Sequence, residues 1–225
     1  MKILAVDTAL GACSAALMED GRVLARDHQQ MVRGHAEALA PMVERVMREA
    51  DCKFSAVDRI AVTTGPGTFT GQRVGLAFAR ALGLALKRPV IGVTTLDAMA
   101  AEALARTASA SWAIAAADAK RGEIYLGARS KSATILAPIL LPLASGFSEL
   151  APMIEQYGSE AVIAGTAAEL LMAQLQMAGM RFADSHIRQP DAVSVAYLAE
   201  SASPGETPKP LYLRPPDAKL PDSPL

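Results

Sequence analysis

The first residues whose types and spacing could do chemistry form an Asp-x-x-x-Gly turn, Asp7 to Gly11, directly after the apolar run Ile3–Val6. A carboxylate at the end of a strand, beside a tight hairpin, can hold a metal-bound phosphate or activate a water. The plainer alternative is an aspartate that bonds the backbone of its own turn, and on the sequence alone this is the stronger reading. A second stretch, Gly65-Pro66-Gly67-Thr68-Phe69-Thr70-Gly71-Gln72-Arg73, leads into a helical pattern. Small residues let a backbone approach a ligand closely, and free N–H groups at a helix N-terminus favour an anion. Asp7, Thr8, Gly65, Gly67 and Thr68 are therefore the candidate nucleotide or anion contacts. The stretch lacks Gly-Lys-Ser/Thr and is not a Walker loop, and Thr68 or Thr70 would also serve as a plain helix cap.

The third feature is a strip of small residues spaced by four, Gly71, Gly75, Ala79 and Gly83, inside that helix. Glycine in a helix interior costs roughly 0.5–1 kcal/mol relative to alanine, so three of them need an offsetting gain. Close approach of another element supplies it. That element is either in the same chain, such as the 36–50 helix or the chain's own sheet, or on another chain. With His35, Leu39, Met42, Val43 and Val46 of the preceding helix, the strip makes the candidate partner or dimer interface.

Other chemistries lack their residues. His28, His35 and His186 form no His-x-x-x-His pair, so a helical zinc or iron site is not available, and there is no Gly-x-Ser-x-Gly nucleophile elbow. Cys13 and Cys52 fit no metal or redox motif and read as two buried structural thiols. No metal site and no catalytic residue is expected.

The elements that must position these residues follow from the pattern of apolar positions. Residues 3–6, 12–18 and 22–27 read as three strands, the last two joined by the hairpin signal Asp20-Gly21. Leu39, Met42, Val43, Val46, Met47 and Ala50 make the apolar stripe of a helix starting near His35. Strands follow at 59–64 and 90–93, and helices at roughly 71–87 and 95–108. The second half repeats the plan: strands at 113–117, 123–129, 134–136 and 162–165, and helices at 167–178 and 191–202. Laid over the start at a constant offset of 111, Asp7 falls on Asp118, Gly11 on Gly122, Cys13 on Ile124 and Leu24 on Ile135, without a gap. Few residues are identical, so chance is the alternative, but the repeated order of elements argues for an internal duplication and an α/β chain of two lobes; duplicated folds of the actin and sugar-kinase type use such hairpins for phosphate. The first lobe is expected over residues 1–108 and the second over 109–203. Seven of the 14 prolines lie in 204–225, which predicts an extended, partly docked tail, anchored around Leu211, Tyr212 and Leu213 and disordered past Lys219.

Composition narrows the function. Of the 225 residues, 51% are hydrophobic, but 45 are alanine and only 4% are aromatic. That is enough for a globular core and suits thin, closely packed helices. A net charge of −1 argues against gripping nucleic acid alone by charge. No apolar run reaches a membrane span and no signal peptide is evident, so a cytoplasmic protein is expected.

Val6-Asp7-Thr8, His35-Ala36-Glu37, Gly65-Pro66-Gly67-Thr68-Phe69-Thr70-Gly71-Gln72-Arg73-Val74-Gly75, Asp118-Ala119-Lys120-Arg121-Gly122-Glu123-Ile124-Tyr125, and Tyr212-Leu213-Arg214 with Ala218-Lys219 together resemble the TsaB family, also called YeaZ. The resemblance spans nearly the whole chain, and its glycine-rich block is the most specific part. Departures are mild: Ala9 and Ala36 stand for serine, Gln72 for leucine and Lys120 for arginine. The resemblance implies the duplicated two-lobe actin-like ASKHA (ribonuclease H-like) fold. It also implies a non-catalytic scaffold role in making threonylcarbamoyladenosine on tRNAs that read codons starting with A. The implied partners are the catalytic paralogue TsaD, met through the first-lobe helices, the ATPase TsaE, and a second copy of the chain when alone. Contact with tRNA comes only through the complex. No cofactor is expected, weak ATP or ADP binding being left open. The family carries a glycoprotease-like label by descent, which no catalytic group here supports. The alternative is a small ASKHA phosphotransferase or hydrolase using Asp7 and the Gly65–Gly71 loop.

Overall fold

A computed structural model describes residues 1–214. Strands β1 (Lys2–Asp7), β2 (Ala12–Glu19) and β3 (Arg22–Gln30) form an antiparallel meander. Asp20 and Gly21 both take positive φ, 47° and 75°, the twist that a two-residue hairpin requires. Helix α1 (His35–Glu49) leads to β4 (Arg59–Thr63), α2 (Phe69–Leu86) to β5 (Val90–Val93), and α3 (Thr95–Arg106) closes the first half. The sheet runs β3-β2-β1-β4-β5, with β1, β4 and β5 parallel. Helices α1 and α2 bury one face of it: Leu39, Met42, Val43, Val46 and Leu76 pack on Leu4, Val6, Cys13, Ala15 and Leu17.

The second half contains β6 (Trp112–Lys120), β7 (Glu123–Ser130), β8 (Thr134–Pro142), α4 (Gly146–Tyr157), β9 (Ala161–Ala164), α5 (Ala168–Met177), β10 (Ala183–Asp184) and α6 (Ala192–Ser201). Its sheet runs β8-β7-β6-β9-β10, the same order as the first. Helix α4 and the two-residue β10 are absent from the sequence reading. The stripe of α4, Phe147, Leu150, Met153, Ile154 and Tyr157, is intact, but Pro152 lies inside the helix on its exposed side, where proline reads as a helix breaker, and β10 is too short to leave a pattern. Strand β8 extends to Pro142 because an edge strand tolerates proline.

The sheets correct the overlay of the two halves. Leu4 and Val6 face α1 and α2; their counterparts facing α4 and α5 are Ile114 and Ala116, an offset of 110. Cys13 and Ala15 correspond to Ile124 and Leu126, an offset of 111. Asp7 lies opposite Ser14, whereas Asp118 lies opposite Ile124. One residue is therefore gained at the turn, Asp7 matches Ala117, and Asp118 points from the opposite face. A one-residue slip in a strand reverses every side chain.

The expected boundary near residue 108 also changes. Helix α3 packs on β6, β7 and β9 of the second sheet, and α6 packs on β1, β2, β4 and β5 of the first. Each lobe thus borrows its outer helix from the other half. Ala192, Val195, Ala196 and Ala199 of α6 cover Ile3, Ala5, Met18, Ala61 and Ile91. The guanidinium of Arg59 holds the C-terminal carbonyls of α6, bonding Ala199 and, at 2.7 Å, Ala202. After α6 the chain crosses back over α2. Arg80 Nε donates to Pro208 O (3.0 Å), Leu211 N donates to Thr64 O (2.8 Å), and Arg214 pairs with Glu123 on the second lobe. The disorder expected past Lys219 lies outside the described residues.

Candidate functional site

Asp7 ends β1 and is fully buried. Its Oδ1 accepts from Thr63 Oγ1 (2.5 Å) and from Ala9 N (3.1 Å), and its Oδ2 has no hydrogen-bond partner. Burial pushes the carboxyl up to about 7, against the pull of Thr63 and Ala9, and the charge of Asp191 adds to the rise. The geometry is that of a turn-bonding aspartate sealed beneath the N-terminal end of α6. There Asp191 caps α6 through Val193 N (2.8 Å), Ala192 N donates to Ser14 Oγ (3.0 Å), and Gln189 Oε1 accepts from Gly11 N (2.7 Å). Thr63, Gln189 and Asp191 were not picked out from the sequence; they come from distant segments and carry no local motif. Asp118 is held by its own turn and by Lys120 Nζ (2.6 Å), which keeps it below the usual carboxylate range.

The glycine-rich loop is filled by the chain itself. Thr68 N donates to Ala9 O (2.8 Å), Thr95 N to Gly65 O (2.8 Å), and Thr8 Oγ1 to Gly71 O (2.6 Å). A Cβ on Gly67 would overlap the Ala9 carbonyl, one on Gly71 the Thr8 carbonyl, and one on Gly65 would come within 2.6 Å of the Gln72 side chain. The close backbone approach that glycine permits is thus spent on the Thr8–Ala9 turn. Thr68 caps α2, accepting from Gly71 N at 3.1 Å. The Gly65–Pro66 peptide is cis.

The proposed interface residues are also corrected. Gly71, Gly75, Ala79 and Gly83 are buried. A Cβ on Gly75 would meet Thr8 Oγ1 at 2.7 Å, and one on Gly83 would overlap Val90. The strip therefore packs α2 on its own sheet. Leu39, Met42, Val43 and Val46 lie in the core beneath α1, so none of these eight offers surface to another chain. His35, half-buried, starts α1 with Nε2 3.1 Å from Leu10 O. Cys13 is buried as read, whereas Cys52 is half-buried; both are free.

What α2 does present outward is Ala77, Ala81, Leu84 and Ala85, Leu84 being 82% exposed. At its N-terminal end Phe69 stacks on Tyr212 (5.7 Å), and Arg73 lies 3.6 Å over the Phe69 ring while donating to Tyr212 Oη (2.8 Å). An open cleft of about 430 Å³ separates the N-terminal ends of α1 and α2, with Arg33, His35, Glu37, Thr68 and Thr70 on its walls. Among the described residues, no group of three or more His, Cys, Asp or Glu is placed to hold a metal ion, and no helix is long and apolar enough to cross a membrane.

Two sheets of identical strand order, each sandwiched between two helices of its own half and one borrowed from the other, define a duplicated two-lobe actin-like ASKHA fold. The ROK hexokinase of Thermus thermophilus shares it, with a TM-score of 0.53 at 16% identity over 90% of this chain and 100% of that one. The profile of the family described as "TsaD: tRNA N6-adenosine threonylcarbamoyltransferase" matches residues 28–181. The solved structure of YeaZ from Pseudomonas aeruginosa is 31% identical, covering 89% of this chain and 92% of that one, with a TM-score of 0.73. The "tRNA threonylcarbamoyladenosine biosynthesis protein TsaB" of Escherichia coli K12 is 41% identical over 125 residues, 56% of this chain and 53% of that protein. Matches to relatives of that name cover between 52% and 63% of their length. The chain belongs to the TsaB (YeaZ) family.

Proposed function

We propose that the chain is a non-catalytic subunit in threonylcarbamoyladenosine formation on tRNA, acting in the cytoplasm by binding the catalytic paralogue TsaD together with the ATPase TsaE. The observation that carries this reading is the closed Asp7 site. The loop that would cradle a phosphate is packed on the chain's own backbone, and the carboxylate that would face a ligand is sealed. The outward face of α2, with Ala77, Ala81, Leu84 and Ala85, supplies an apolar seat for a partner helix, small enough for close approach. The same face serves a homodimer when the partner is missing, and tRNA is met through the assembly. Weak ATP or ADP binding falls to the open cleft at the N-terminal ends of α1 and α2, where N–H groups favour anions.

Reconstitution tests the reading. The chain alone is expected to transfer no threonylcarbamoyl group to tRNA, and to restore transfer when added to TsaD, TsaE and the activated intermediate. Full activity of that mixture without the chain would overturn it. Ala81→Glu with Leu84→Glu should abolish complex formation on size-exclusion chromatography while leaving the melt unchanged.

A further inference from the structure

The two borrowed helices, α3 and α6, leave a groove between them where the lobes meet. Its volume is about 340 Å³, within the range of small-molecule sites. Leu104 and Ala105 of α3 and Val193 and Leu198 of α6 make apolar walls, and Arg129 and Lys131 stand at the end formed by the β7–β8 hairpin. Arg129 is 8% exposed. Its guanidinium is fixed by Asp97 Oδ1 (Nη1, 3.3 Å) and by the Ser130 carbonyl (Nε, 3.3 Å). Asp97 is itself shared with the hydroxyls of Thr94 and Thr134, both at 2.8 Å, so it offsets one of the two cations. Lys131 is exposed and has no carboxylate paired with it among the described residues.

A concave apolar surface closed at one end by a preoriented guanidinium and an unpaired ammonium matches an elongated apolar molecule with an anionic head. We infer that this groove binds a medium-chain acyl carboxylate, with the chain along α3 and α6 and the carboxylate at Arg129 and Lys131. The site is separate from the α2 face and does not depend on the subunit reading. Because α3 rests on one sheet and α6 on the other, an occupant touches both lobes and stabilises the folded chain.

Calorimetric titration of the full chain with decanoate, decylammonium and decanol tests this. Decanoate is expected to bind saturably, one per chain, at least tenfold tighter than either analogue. Lys131→Glu, on an exposed hairpin, should weaken decanoate about tenfold. Ala105→Trp, on the exposed side of α3, should abolish it by filling the groove, with an unchanged melt in the absence of ligand. No saturable decanoate binding, equal binding of decylammonium, or full binding by Ala105→Trp would each overturn the assignment.

Discussion

Asp7 carries a measurable pH signature. Its carboxyl is moved from 3.8 to about 7 in the folded chain, so the folded state keeps a proton that the unfolded state releases between those values. Stability from this group therefore falls as pH rises from about 4 through 7, and the loss reaches roughly 4 kcal/mol once the group is ionised. Asp7→Asn keeps the oxygen that Thr63 and Ala9 bond and cannot ionise. Urea unfolding should find it close to the parent at pH 3, more stable by about 2 kcal/mol at pH 5 and by about 4 kcal/mol at pH 9; equal differences at all three values would refute the burial account. Gln72 offers a second test. It is buried with Oε1 unpartnered, and the family's usual leucine has no carbonyl to leave unsatisfied. Gln72→Leu should raise unfolding stability by about 1–2 kcal/mol.

At the scale of elements, helix α2 decides what its small residues are for. Gly75→Leu would drive a side chain into Thr8 and Val62 and should cost about 3 kcal/mol, visible as a lowered melt before any partner is added. The exposed change Ala81→Glu should shift stability by less than about 0.5 kcal/mol. The stripe of α1, the hairpin at Asp20-Gly21 and the cap at Thr68 were legible in the sequence because each depends on neighbours within a few residues. Spacing by four told that α2 approaches something closely, but small residues do not say what they touch. The Asp7 seal was illegible for the same reason: Thr63 and Asp191 lie 56 and 184 positions from Asp7, and Gln189 bonds Gly11 across 178. The slipped overlay came from matching two aspartates by type, where the pleat sorts residues by face.

The whole molecule is held by crossings between its halves. The tail joins Thr64, Phe69 and Arg73 of the first lobe to Glu123 of the second. Among the described residues, ending the chain after Ser203 removes the bonds of Arg80 to the Pro208 carbonyl, of Leu211 N to Thr64 O and of Arg73 to Tyr212 Oη, together with an aromatic stack and a partly exposed ion pair. This should cost about 2 kcal/mol and raise hydrogen exchange at the end of β4 and the first turn of α2. Neither lobe can be cut free at residue 108, because each would lose the helix covering one side of its sheet.

The borrowed helix also sets a schedule for the chain as it is made. The face of the first sheet bearing Ile3, Ala5, Met18, Ala61 and Ile91 is covered mainly by residues 192–201, with only Ala98 of α3 reaching it from earlier in the chain, so most of it stays uncovered until α6 has left the ribosome. At ~5–20 residues per second, the roughly 100 residues between β5 and α6 take about 5–20 s to make. For that time an apolar sheet face stands open to water, to neighbouring nascent chains and to chaperones.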